Sequence, residues 1–188
     1  MEDEKVIKEG HIVLVHGFNV KDDGDSTINR LEQYVDKRNV LQGDYGYFGL
    51  WGVRFFNKSI AKTIAGMTPP HSIGVGHSNG CAILTRAAEY GAKFDRLILI
   101  NPALEKDRQF APHLKRIDIF HNLSDTTVSV SKWLPFHVWG EMGRTGYQGN
   151  DQRVFNHETG ELFGATGHSG VFDYSEQLAN YIKDNLVE

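Results

Sequence analysis

Ser78 stands in the middle of Gly76-His77-Ser78-Asn79-Gly80, directly after the run His71 to Gly76. A serine hydroxyl is a poor nucleophile at neutral pH. It needs a base to take its proton, a group to orient that base, and donors for the oxyanion. A sharp strand-to-helix turn meets the geometric part of this need by holding the serine in a strained backbone conformation at the strand's carboxyl end. Side chains two residues either side would collide there, which fits Gly76 and Gly80. The same stretch has a rival reading. Gly74, Gly76 and Gly80 form a loose glycine-rich loop of the kind that cradles a dinucleotide.

The remaining parts of a nucleophilic apparatus lie at separate places in the chain. His16-Gly17-Phe18 closes the first strong apolar run, where a small residue lets the amide of Phe18 turn into a site. With the amide of Asn79 it makes a two-donor oxyanion hole; losing one such donor typically costs about 10²–10³ in turnover. Asp125 sits in the polar turn after Arg116 to His121, where an acid holds a histidine in its productive tautomer. Asp118 is the poorer acid because it lies inside that strand. His168, flanked by Gly167 and Gly170, is the preferred base, on a loop able to swing between acid and serine. His157 is its main rival. His77 adjoins Ser78, and its ring is not expected to turn back onto that hydroxyl. A histidine base must be neutral for the first step, so activity is expected to rise through roughly pH 6–8.

These residues need elements to carry them. His11 to Val15 reads as a strand buried on both faces. Thr27 to Val40 reads as a helix capped by Ser26 or Thr27, and Tyr45 to Phe56 as a poorly bounded second strand. Lys58 to Met67 is a short helix stopped at Pro69-Pro70. His71 to Gly76 is the third strand, and Asn79 to Tyr90 a helix closed by Gly91. Phe94 to Ile100 and Arg116 to His121 are strands, and Ser175 to Leu186 is a final amphipathic helix. The alternation predicts an α/β domain over 11–188, behind a charged leader at 1–10, with a mainly parallel sheet and helices on both faces. Residues 129–170 break the rhythm and read as a long excursion and candidate lid, with a hairpin near Asn156 to Gly160. Within it, Trp133, Phe136 and Trp139 either wall an acyl pocket or pack as a small satellite core.

The chain has 188 residues, enough for one domain burying roughly 70% of its unfolded surface. With 20 basic and 24 acidic side chains its net charge is −4, which gives no footprint for nucleic acid. No apolar run of about 18 residues exists to span a membrane. The polar start, the lack of a secretory pattern and the single cysteine, Cys81, lead to an expected cytoplasmic setting. Cys81 lies in an apolar helical run and reads as inert packing.

Taken together, the strand with His16 to Phe18, Gly76 to Gly80, Ser124 to Val128 and Gly167 to Gly170 resembles the α/β-hydrolase superfamily in a compact form. The likeness runs from about residue 11 onward, and Ser…Asp…His is the chain order of that architecture. It implies Ser78 as nucleophile, Asp125 as acid, His168 as base, and the amides of Phe18 and Asn79 as oxyanion donors. It implies no cofactor and no metal. With ten residues before the first strand, the two antiparallel strands that open the full fold are expected to be missing, as is a large cap. An open site and a small or short-acyl ester substrate follow, with thioester and amide cleavage as alternatives on the same apparatus. No oligomeric state is implied.

Rival classes fare worse. The spacing Gly74, Gly76, Gly80 is looser than the dinucleotide fingerprint, and the next strand ends in Asn101-Pro102 where an acid is wanted. No H-E-x-x-H occurs, and a lone cysteine cannot make C-x-x-C. Asp22 to Asp25 lacks the rest of a calcium-loop pattern. A non-catalytic binding protein on a hydrolase scaffold would normally lose a triad member, and all three are present.

Overall fold

The computed structural model describes residues 11–17, 25–34, 40–42, 50–126 and 140–186. Among these residues six strands form one sheet: β1 (Ile12–Val15), β2 (Val40–Gln42), β3 (Ser72–His77), β4 (Phe94–Ile100), β5 (Arg116–His121) and β6 (Val154–Glu158). Every neighbouring pair is parallel, in the order β2-β1-β3-β4-β5-β6. Parallel strands need crossovers, and crossovers cover both faces. This is why β4 is apolar without alternation: Leu97, Ile98, Leu99 and Ile100 are each at most 1% exposed. Burying each side chain contributes roughly 1.5–3 kcal/mol.

The chain first steps from β1 to β2 on one side, then returns past β1 and builds the other four strands on the opposite side. Right-handed crossovers therefore place the two sets of connections on opposite faces. Helices α1 (Leu50–Met67) and α2 (Asn79–Glu89) cover one face, packing Ala61, Ile64, Ile83 and Leu84 with Val13, Val15, Leu97 and Ile117. After the short helices α3 (Met142–Thr145) and α4 (Thr159–Phe163), helix α5 (Ser175–Leu186) joins the 3-10 turns Ile28–Tyr34 and Gly170–Tyr174 on the other. There Ile28, Leu31, Val171, Phe172 and Leu178 bury against Leu14, Ile98, Ile100 and Phe120. The strand order reverses between β1 and β3. In open α/β sheets the crevice beyond the carboxyl ends at such a reversal is where ligands bind.

Four local expectations are corrected. Residues 28–34 form a 3-10 turn, with β2 beginning at Val40, so Thr27 to Val40 is not one α-helix. The second strand is Val40–Gln42, and Leu50 to Phe56 belongs to α1, which starts eight residues before Lys58. Val154–Glu158 is a strand parallel to β5 followed by α4, not a hairpin. The stretch 129–170 thus supplies the sixth strand and is not wholly an excursion from the sheet; residues 127–139 lie outside the described residues. The end of α2 is as read: Gly91, at φ 91°, closes it, with Gly91 N–H on the Ala88 carbonyl and Ala92 N–H on that of Ala87, the paired bonds of a Schellman cap. Among the described residues no helix is long and apolar enough to cross a membrane.

Candidate active site

Ser78 has φ 54° and ψ −119°, a conformation that costs a non-glycine residue about 1–3 kcal/mol. The surroundings hold it there. Its N–H donates to the Ile100 carbonyl at 2.9 Å, and its own carbonyl accepts from Cys81 and Ala103, both at 3.2 Å. The flanking glycines are sterically required. A Cβ on Gly76 would stand 2.9 Å from the Cys81 nitrogen, and one on Gly80 would stand 2.2 Å from the Val15 carbonyl oxygen. Gly17 completes the close approach: a Cβ there would meet the Ser78 Cβ at 3.2 Å and His77 Nδ1 at 3.3 Å. The elbow is therefore wedged against the end of β1, at the reversal point of the sheet.

Helix α2 begins at Asn79, whose amide, like all first-turn amides, has no carbonyl within the helix to bond. Its side chain pairs with Asn57 of α1, Nδ2 to Oδ1 in both directions at 2.8 and 3.1 Å. Both residues are buried. The pair fixes the start of α2 without using its amides. Replacing Asn57 by Leu leaves the Asn79 amide buried and unpaired, so stability is expected to fall by about 1–3 kcal/mol. Thermal unfolding should show this as a Tm lower by several degrees; an unchanged Tm would mean that water replaces the lost partner.

Among the described residues, two aspartates that are wholly buried each pair with a histidine. His168 Nδ1 lies 2.7 Å from Asp125 Oδ2, with the carboxylate wholly buried. His157 Nε2 lies 2.8 Å from Asp118 Oδ1. The two rival candidates thus bond to each other, and their surroundings separate the pairs. Arg116 grips Asp118 through Nε at 3.0 Å and Nη2 at 3.1 Å. The other nitrogen of His157 takes the Tyr181 hydroxyl at 3.2 Å, and its ring stacks on Phe120. Both ring nitrogens of His157 are therefore committed. At the other pair, a carboxylate can only accept, so His168 carries its proton on Nδ1 and offers Nε2 as the basic nitrogen. The ring of His77, the residue before Ser78, packs 4.9 Å from that of His168.

Polar side chains that sequence reasoning passed over organise this second pair. Asn101, at the end of β4, adopts φ 45° and is fully buried. Its Nδ2 donates to Asp125 Oδ2 at 3.1 Å, the same oxygen that faces His168, and to the Gly143 carbonyl at 3.3 Å. Asn122 ties the turn of Asp125 to the segment leading to His168, donating to Thr159 Oγ1 and the Ala165 carbonyl, both at 2.9 Å. Ser124 Oγ accepts from Gly167 N–H at 2.7 Å, and His77 Nε2 meets the His168 carbonyl at 3.1 Å. The loop that carries His168 is thus tied both at Gly167 and at His168 itself. One signal was available for Asn101: a polar residue ending an apolar strand of a parallel sheet faces the end where sites form.

Of the residues singled out beforehand, Ser78, His77, Asn79, Asp125 and His168 converge at the carboxyl ends of β3, β4 and β5. Asp118 and His157 do not join them. Phe18, Trp133, Phe136 and Trp139 lie outside the described residues. Cys81 is buried, and burial raises its thiol pKa far above the ordinary range, which keeps it unreactive. No group of three metal-binding side chains occurs among the described residues.

No protein-family model matches the sequence, and no curated protein matches it. Solved structures do. The chain is similar to mouse alpha/beta hydrolase domain-containing protein 10, with a TM-score of 0.62 and 15% identity over 94% of this chain and 89% of that one. It is similar to a pyrethroid hydrolase from Sphingobium faniae, with a TM-score of 0.53 and 16% identity over 93% and 96%. Lipase B of Aspergillus fumigatus gives a TM-score of 0.55 at 14% identity, over 87% of this chain and 49% of the lipase.

Proposed function

With the α/β-hydrolase fold that it shares with these neighbours as scaffold, we propose that the chain is a serine hydrolase that cleaves carboxylic esters. The observation that carries this reading is local. A strained, glycine-flanked serine lies one residue from His77, whose ring packs against a histidine bonded to a buried aspartate.

The chemistry follows from the protonation states. His168 Nε2 takes the proton of the Ser78 hydroxyl as Oγ forms a bond to the ester carbonyl carbon. The resulting imidazolium is stabilised by Asp125, whose charge is held in place by Asn101. The negative charge passes to the carbonyl oxygen, where the Asn79 amide at the positive end of α2 and the Phe18 amide receive it. Collapse expels the alcohol, which takes the proton from His168 and leaves an acyl group on Ser78. Water then repeats the sequence, with His168 again as base, and releases the acid. Small or short-acyl esters are the substrate class, with Trp133, Phe136 and Trp139 as the wall of the acyl pocket. No cofactor is required.

The test is intact-protein mass after treatment with a fluorophosphonate, on wild type and Ser78→Ala, alongside hydrolysis of a short p-nitrophenyl ester. One adduct on wild type, none on the variant, and turnover lost with it is the expected result. A well-folded wild type that neither labels nor turns over would refute the proposal and favour a binding protein on a hydrolase scaffold.

A further inference from the structure

We propose that His77 is a positioning residue that holds the base: its ring N–H grips the backbone carbonyl of His168 and so fixes where the His168 ring stands relative to Ser78. This inference rests on the reading of Ser78 and His168 as nucleophile and base.

His77 Nε2 lies 3.1 Å from the His168 carbonyl oxygen. A carbonyl only accepts, so Nε2 carries the proton and Nδ1 is bare. The ring is buried, edge-on to Phe172 at 5.0 Å and tilted against His168 at 4.9 Å. Its Nδ1 is buried with no hydrogen-bond partner, on the side where Gly17 passes. A leucine or phenylalanine would occupy this space without an unpaired ring nitrogen. As pure packing the imidazole is a poor choice. Its one polar hydrogen bond goes to the backbone of the base.

The position of that bond gives it leverage. His77 ends β3 and is joined by one peptide bond to Ser78. Any drift of the base loop away from the nucleophile must therefore stretch the His77 contact. On the other side of His168, Gly167 N–H is held by Ser124, one residue before the acid. The base is thus suspended between the strand that carries the nucleophile and the turn that carries the acid. Burial, reinforced by the nearby His168, holds the His77 pKa down to about 3. His77 therefore remains a neutral N–H donor and adds no opposing charge when His168 takes its proton.

The experiment compares wild type, His77→Phe and His77→Gln in fluorophosphonate labelling rate and in kcat, KM and pH profile on p-nitrophenyl acetate. Phenylalanine keeps the ring volume and loses the donor; glutamine places an amide N–H where Nε2 stood. His77→Phe is expected to lower kcat and the labelling rate by about 100-fold, the cost of an ångström-scale misplacement, with KM within about threefold and a displaced pH profile. His77→Gln is expected to recover most of the loss. A His77→Phe protein within about twofold of wild type, or a His77→Gln protein equally impaired, would overturn the proposal while leaving a labelled wild type as evidence for the hydrolase reading. An unlabelled wild type would remove both. If His77→Phe does not fold, ¹⁵N NMR of the wild-type His77 ring decides: the Nε2–H tautomer is expected, and an Nδ1–H tautomer would overturn the assignment.

Discussion

Asp125→Ala protein is expected to turn over a short ester about 10⁴-fold more slowly than wild type, with its fold retained. The scale is that of removing the acid from a serine–histidine–aspartate apparatus. Asp125 is fully buried, and its Oδ2 receives both His168 Nδ1 and Asn101 Nδ2. Without it His168 loses the group that selects its tautomer and the charge that stabilises its protonated form. Asp118 provides the contrast. It is also fully buried and also bonded to a histidine, but Arg116 neutralises it and Tyr181 occupies the far side of that histidine. Asp118→Asn is expected to cost stability, because it breaks a buried ion pair, and to leave kcat of the folded protein within a few fold. Steady-state kinetics and denaturant melts on both variants separate the two roles. A reversal, with Asp118→Asn inactive and Asp125→Ala active, would overturn the choice of acid.

Acid should destabilise the protein well before its carboxylates titrate fully. His77 is held neutral down to about pH 3, chiefly by loss of water around it and then by the nearby His168; Asp125 pulls the other way and His16 adds to the lowering. In the unfolded chain the same imidazole titrates near 6.5. Between these values the unfolded state binds a proton that the native state refuses. The stability contributed by keeping His77 neutral is therefore present above about pH 6.5 and is lost as pH falls toward 3. The slope approaches about 1.4 kcal/mol per pH unit for one group. From pH 7 to pH 4.5 this amounts to about 3 kcal/mol. His121, also buried and lowered by that burial, adds in the same direction. Urea unfolding of wild type and His77→Gln at both pH values measures the His77 share. The variant should lose less stability than wild type, and parallel losses would show that His77 is not the source.

Where the sequence was legible, a single physical cause dominated. Phe94–Ile100, Arg116–His121 and Ser175–Leu186 have the bounds read beforehand. The strands are apolar runs with abrupt polar ends, and the helix shows one strong face. The elbow was legible because glycine spacing reports steric exclusion directly. Other elements were hidden for identifiable reasons. Strand β2 has three residues and, among the described residues, only β1 beside it, too short for any period to register. The first turns of α1 carry Trp51, Phe55 and Phe56, whose β propensity outweighed the helix that context imposes. Among the described residues strand β6 has β5 as its only strand neighbour, so Val154–Glu158 alternates with polar residues and resembles a turn. Asn101 was missed because its side chain meets the carboxylate of Asp125, 24 positions along the chain. His77 was weighed only as a partner for the serine hydroxyl, whereas its ring reaches a backbone carbonyl 91 positions along the chain.

The wedge of Gly80 against the Val15 and His16 carbonyls has a consequence for biogenesis. The strained turn at Ser78 depends on distant parts of the chain: β1 must already lie beside β3, pairing Ile12 with Ile73, and β4 must supply the Ile100 carbonyl. Such long-range parallel pairing forms slowly. At about 5–20 residues per second, a ribosome needs several seconds to travel from His77 to His168. On the proposed reading, the emerging Ser78 lacks its base throughout that interval. Under the proposed function, the growing chain is unreactive until the segment that carries His168 has been made and packed.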